Sequence, residues 1–144
     1  MSPSRTNAPI AFIYASDGVT EPVREALAKD GYQVTLGFAG QFTSSTQFAT
    51  FVEIYNPKVI VYELLPPHER TLSYVLTLKA LKAAEGREFV LTTTDRTLID
   101  AVSRGSHVVE TIGRGGELTE LRRAVHEALA RARAIEEEPA GKAA

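Results

Sequence analysis

The side chains that could do chemistry in this chain gather at the ends of short apolar runs. Ala15-Ser16-Asp17 follows Ile10–Tyr14, Glu63 closes Lys58–Glu63, Thr92-Thr93-Thr94-Asp95 ends the run begun at Phe89, and Thr111-Ile112-Gly113 ends the run begun at His107. Gly113-Arg114-Gly115-Gly116 stands before a helical pattern, where backbone amides and Arg114 could approach an anion. It follows the last strand rather than the first and lacks both the Lys-Ser/Thr of a P-loop and dinucleotide spacing, so it reads as a flexible turn. His68, His107 and His126 come from a loop, a strand start and a helix, with no two at ligand spacing, and no metal site is expected. His126 lies off the apolar stripe of its helix and should face solvent. No Ser or Thr sits in a nucleophile elbow. The chain has no cysteine, which excludes disulfides, thiolate catalysis and Cys-based metal sites.

The elements that must position these residues follow from the hydrophobic pattern. With 144 residues, 44% hydrophobic and 24% charged, the chain can bury the core of one domain. A net charge of −2, with the basic residues scattered, gives no case for nucleic acid or an anionic membrane as partner. No apolar run is long enough to span a bilayer and Met1–Pro9 is polar, so a cytoplasmic location is expected. β-type runs at Ile10–Tyr14, Tyr32–Phe38, Lys58–Glu63, Phe89–Thr93 and His107–Ile112 alternate with helical segments. The helices are expected from Thr20 to a C-cap at Gly31, over Phe42–Tyr55, from about Glu69 to Ala84, over Asp95–Arg104, and along the Leu118-Leu121-Val125-Leu129 stripe. Residues 1–134 form the domain, and residues 135–144 are expected to be a disordered tail. Five βα units in succession imply a flavodoxin-like (βα)5 three-layer sandwich with a parallel five-stranded sheet in the order 2-1-3-4-5. In that architecture the carboxyl ends of the strands form the functional edge, and the side chains that follow the apolar runs lie there.

The stretch Pro57-Lys-Val-Ile-Val-Tyr-Glu63-Leu-Leu-Pro-Pro67 resembles the third strand of a response-regulator receiver domain, in which a phosphorylated Asp precedes a Pro-containing turn. Gly31-Tyr32 before the second strand and Phe89-Val-Leu-Thr-Thr93, with its terminal Thr at the switch position, fit the same family. The resemblance covers roughly Ile10 to Arg131 and implies a two-component signal-transduction module. It also implies a magnesium-dependent site of paired acids, a nucleophilic Asp and a fifth-strand Lys. Here those positions hold Ala15 and Ser16 with Asp17 beside them, Glu63, and Ile112. Val109 stands where many receivers carry an aromatic switch residue. Three charged groups are lost together, which argues against phosphoryl transfer, against a bound metal or other cofactor, and against an enzyme.

Glu63 then has two readings. Its longer side chain could imitate a phosphoaspartate and reach Thr93. Alternatively it is a solvated carboxylate, or a cap for a neighbouring helix, and this is the expectation because nothing else of the acid cluster survives. Thr93 reads equally as an ordinary β-branched strand residue. The surplus apolar residues of the second and third helices, Tyr74, Leu78 and Leu81 among them, either widen the core or mark a docking surface. The functional expectation is an atypical, phosphorylation-independent pseudo-receiver acting by protein–protein interaction in a signalling pathway. Val109 with the last helix, or Tyr74, Leu78 and Leu81, would be the interface, with a separate partner or a homodimer on the other side. The alternative is a flavodoxin-like sensor that binds a small ligand or nucleotide through Ser16, Asp17, Gly18, Thr93 and the Gly113–Gly116 turn.

Overall fold

Strands with apolar residues at every position need cover on both faces, and the central strands of this protein receive it. The computed structural model describes residues 8–15, 18, 20–64, 68–93, 109–111 and 118–137; for residues 68, 69, 93, 109–111 and 133–137 it describes the backbone alone. Four strands of five or six residues, β1 (Pro9–Tyr14), β2 (Gln33–Phe38), β3 (Val59–Glu63) and β4 (Glu88–Thr93), are joined at the edge by the three-residue β5 (Val109–Thr111). All pairings are parallel, in the order β2-β1-β3-β4-β5. This is an α/β domain compatible with a flavodoxin-like fold. The expected helix over Asp95–Arg104 and the Gly113–Gly116 turn lie outside the described residues.

The two-residue period of the strands sends alternate side chains to two separate cores. Ile10, Phe12, Val59, Val61 and Val90 meet α1 (Thr20–Lys29) and the C-terminal helix. Ala11, Ile13, Ile60, Tyr62, Phe89 and Leu91 meet α2 (Ser45–Tyr55) and α3 (His68–Lys79). Gly37 makes the second contact possible: a Cβ there would lie 3.0 Å from Ile13 and 3.2 Å from the Phe51 ring. α1 ends as its sequence requires, with Gly31 at φ 92°, the Gly31 amide on the Ala28 carbonyl and the Tyr32 amide on the Leu27 carbonyl.

The structure moves three boundaries. Phe42 does not begin the second helix; a 3-10 turn at Ala39–Gln41 precedes it, and α2 starts at Ser45. Ser44 caps that start by accepting the Gln47 amide, while Gln47 Oε1 accepts from the Thr43 amide at 2.7 Å and the Thr43 hydroxyl at 2.9 Å. These polar side chains satisfy amides that the first turn leaves open, so the helix begins after Ser44 although apolar periodicity extends to Phe42. α3 stops at Lys79 instead of Ala84, because Leu81 turns extended (φ −68°, ψ 147°) and its side chain packs on the core; a 3-10 turn, Lys82–Ala84, follows. The C-terminal helix, α4 (Thr119–Glu137), continues past residue 134 and carries helical backbone into the segment expected to be a disordered tail. Among the described residues, no helix is long and apolar enough to cross a membrane.

Candidate functional site at the carboxyl edge of the sheet

β1 and β3 run side by side with Ile13 opposite Tyr62, so the residues that leave the two strands meet at one edge. There Glu63 is only 2% exposed, and its Oε1 accepts the backbone amide of Ala15 at 2.7 Å. A carboxylate removed from water needs hydrogen-bond donors, and the first amide beyond β1 supplies one. This corrects the expectation of a solvated carboxylate or helix cap. Glu63 is an internal tie between the ends of two central strands. The Thr93 side chain lies outside the described residues, so the other reading, in which Glu63 reaches Thr93, has no geometry to weigh.

Thr92 joins this pair. It is the β4 partner of Glu63 in register, fully buried, and its carbonyl accepts the Leu64 amide at 2.8 Å. Its hydroxyl has no hydrogen-bond partner among the described residues. Thr93 is the residue expected from the sequence. Strand alternation is the signal that could have found Thr92 beside it, because cross-strand partners share a face and Thr92 is the partner of Glu63.

Of the expected site residues, the structure therefore brings together Ala15 and Glu63, while Ser16, Asp17 and Ile112 lie outside the described residues. Magnesium demands several oxygen ligands in octahedral array. Ala15 offers no side-chain oxygen, and one Glu63 oxygen is already held by an amide, so these two residues do not fit such a centre. Among the described residues no group of three or more histidines or carboxylates is placed to hold a metal ion. No family model matches the chain, and no curated protein matches it.

The same edge also carries an open cavity. A cavity of about 410 Å3 lies between the ends of β1 and β3 (Ala15, Tyr62, Glu63), the 3-10 turn after β2, and the first turns of α3 (Arg70, Thr71, Tyr74). Tyr62 is 2% exposed, and burial, with a smaller contribution from the charge Tyr74 would carry, pushes its phenol up to about 12. Tyr74 is half-buried, its phenol is also raised by burial, and its hydroxyl donates to the Phe42 carbonyl at 3.1 Å.

That bond and the surrounding packing decide the fate of the expected docking stripe. Leu78 is fully buried, while Tyr74 and Leu81 are partly buried against the α2/α3 core, so these three residues widen the core. Among the described residues, the large apolar side chains that do reach solvent are Phe38, Ile54, Tyr55 and Leu76, with Ile54 67% exposed. The side chain of Val109 lies outside the described residues, and His126 faces solvent as expected.

Proposed function

We propose that this chain is a pseudo-receiver: a signalling module of the flavodoxin-like (βα)5 type that works by protein–protein contact and does not accept a phosphoryl group. The observation that carries this reading is the buried bond from the Ala15 amide to Glu63 Oε1. Glu63 stands where a receiver has its nucleophile. A nucleophilic carboxylate must present an oxygen to phosphorus, and a cation must neutralise the charge that develops. A carboxylate tied to the neighbouring strand, with alanine in place of a ligating acid, is suited to holding the edge in one conformation. Signal output then depends on contact with a protein partner or a second copy, in the cytoplasm, without a cofactor, nucleic acid or membrane.

The test is incubation with acetyl phosphate and magnesium, followed by intact-mass measurement. The wild-type chain is expected to gain no phosphoryl adduct. Accumulation of an acid-stable, hydroxylamine-labile adduct on Glu63 would overturn the proposal.

A further inference from the structure

We propose that the cavity between the end of β3 and the start of α3 binds a small aromatic carboxylate. This goes beyond the pseudo-receiver reading and uses residues other than those a ligand-binding edge was expected to use. The cavity's volume, about 410 Å3, falls in the range that encloses small organic ligands, and its walls are mostly apolar.

Two phenol rings, Tyr62 from β3 and Tyr74 from α3, line it. Both are held in place, Tyr62 by burial in the core and Tyr74 by its bond to the Phe42 carbonyl. The half-buried Tyr74 ring, fixed in this way, favours a flat aromatic body that stacks against it at little entropic cost, while Tyr62, 2% exposed, is part of the wall and not a stacking face. A phenol is neutral at physiological pH, and burial raises both of these further, so neither repels an anion.

Arg70 supplies the charge. It lies one helical turn before Tyr74, is exposed, and makes no ion pair with another described residue. A guanidinium presents a planar fork that matches a carboxylate with two parallel hydrogen bonds. It also stands in the first turn of α3, where the helix dipole favours negative charge. Glu63, which also lines the cavity, limits the ligand's charge. A phosphate dianion would bring two negative charges toward that carboxylate. A monocarboxylate can leave its single charge at Arg70, near solvent, and send its neutral ring inward to Tyr62.

The experiment is an amide NMR titration of the full chain with naphthoate, naphthamide, cyclohexanecarboxylate and inorganic phosphate. Naphthoate is expected to give saturable shifts at Ala39, Gly40, Arg70 and Tyr74. Naphthamide, which keeps the ring and loses the charge, should bind at least about tenfold more weakly, as expected for loss of a charged hydrogen bond. Arg70→Gln should weaken naphthoate to a similar degree, and Arg70→Lys by less. Arg70 is exposed, so both variants should fold, which the unchanged remainder of their spectra checks. Cyclohexanecarboxylate should bind more weakly than naphthoate because it cannot stack. The proposal is overturned by unsaturable naphthoate shifts, by equal binding to the Arg70→Gln chain, by equal binding of phosphate, or by shifts centred on Ile54 and Tyr55.

Discussion

On the α1/α4 face, the helices lay small and aliphatic side chains on the sheet: Val23 and Leu27 from α1, and Leu121, Ala124, Val125, Ala128, Leu129 and Ala132 from α4, all buried. On the α2/α3 face the same sheet meets rings. Phe42 stands edge-on to Phe48 at 85° and to Phe51 at 69°, and Phe48 contacts Phe89. The cavity beside Tyr62 opens on the second face, as does a groove of about 450 Å3 between the β2 edge and α2. Among the described residues, three of the four large exposed apolar ones, Ile54, Tyr55 and Leu76, also belong to α2 or α3. The difference teaches that, among the described residues, the ring face combines a packed core with surface on which binding can occur.

The largest effect should come from the ring layer itself. Phe48→Ala should cost about 3–5 kcal/mol, the range for a buried Phe whose cavity cannot collapse, and denaturant melts would measure it. A loss below about 1 kcal/mol would mean that the ring face is loosely packed and would break the comparison.

At the junction of the two faces, Glu63→Ala should cost about 2–3 kcal/mol, because it empties a buried site and removes the acceptor of the Ala15 amide. Glu63→Gln retains an acceptor oxygen and should cost distinctly less. Equal losses in the two variants would show that the negative charge, rather than the tie to β1, is what matters.

Tyr62 gives the ring face a pH signature. Its folded value, about 12, lies above the ordinary value of 10.0, so the phenol stays protonated in the folded chain while the unfolded chain ionises. Its contribution is fully present below pH 10 and is lost as pH rises from about 10 toward 12, amounting to about 2–3 kcal/mol. Tyr62→Phe should remove this part of the alkaline decline, which stability curves of the two chains at matched pH would reveal.

The α1/α4 face carries an ion pair that should matter little. Arg122 donates to both Asp30 oxygens, at 2.9 and 2.6 Å, and the pair is partly exposed. The hydrogen bond from Arg122 to Asp30, with their charge attraction, raises the guanidinium's value. Arg122→Gln is expected to cost less than about 1 kcal/mol and to become nearly neutral in high salt. Ile54→Ser, at the open surface of α2, should change stability by no more than about 0.5 kcal/mol.

The order of elements was legible because it depends on apolar runs and on breakers such as Gly31 and Asn56-Pro57. Asn56 takes the left-handed conformation, φ 48° and ψ 51°, that ends α2 where Asn-Pro suggested. The start of α2 was less legible, since Phe42 continues the apolar pattern while the capping is done by Ser44 and Gln47. The site was legible in position and not in state. The run ending at Glu63 placed a carboxylate at the edge of the sheet, but burial there depends on the covering of that edge, to which distant segments contribute. Likewise Tyr74, Leu78 and Leu81 read as a surplus stripe, because helical spacing does not say how wide an arc the sheet will cover. The cavity had no sequence signal of its own, since it depends on how the turn after β2 stands against α3.

The most direct test of the account is an amide NMR titration with magnesium, then with magnesium and beryllofluoride, which mimics a phosphoryl group on a receiver carboxylate. With Glu63 buried and tied to the Ala15 amide, no saturable shifts are expected at Ala15, Glu63 or Thr92. Saturable shifts at these residues that spread to Val109 and α4 would contradict the account and make Glu63 a working phosphoacceptor.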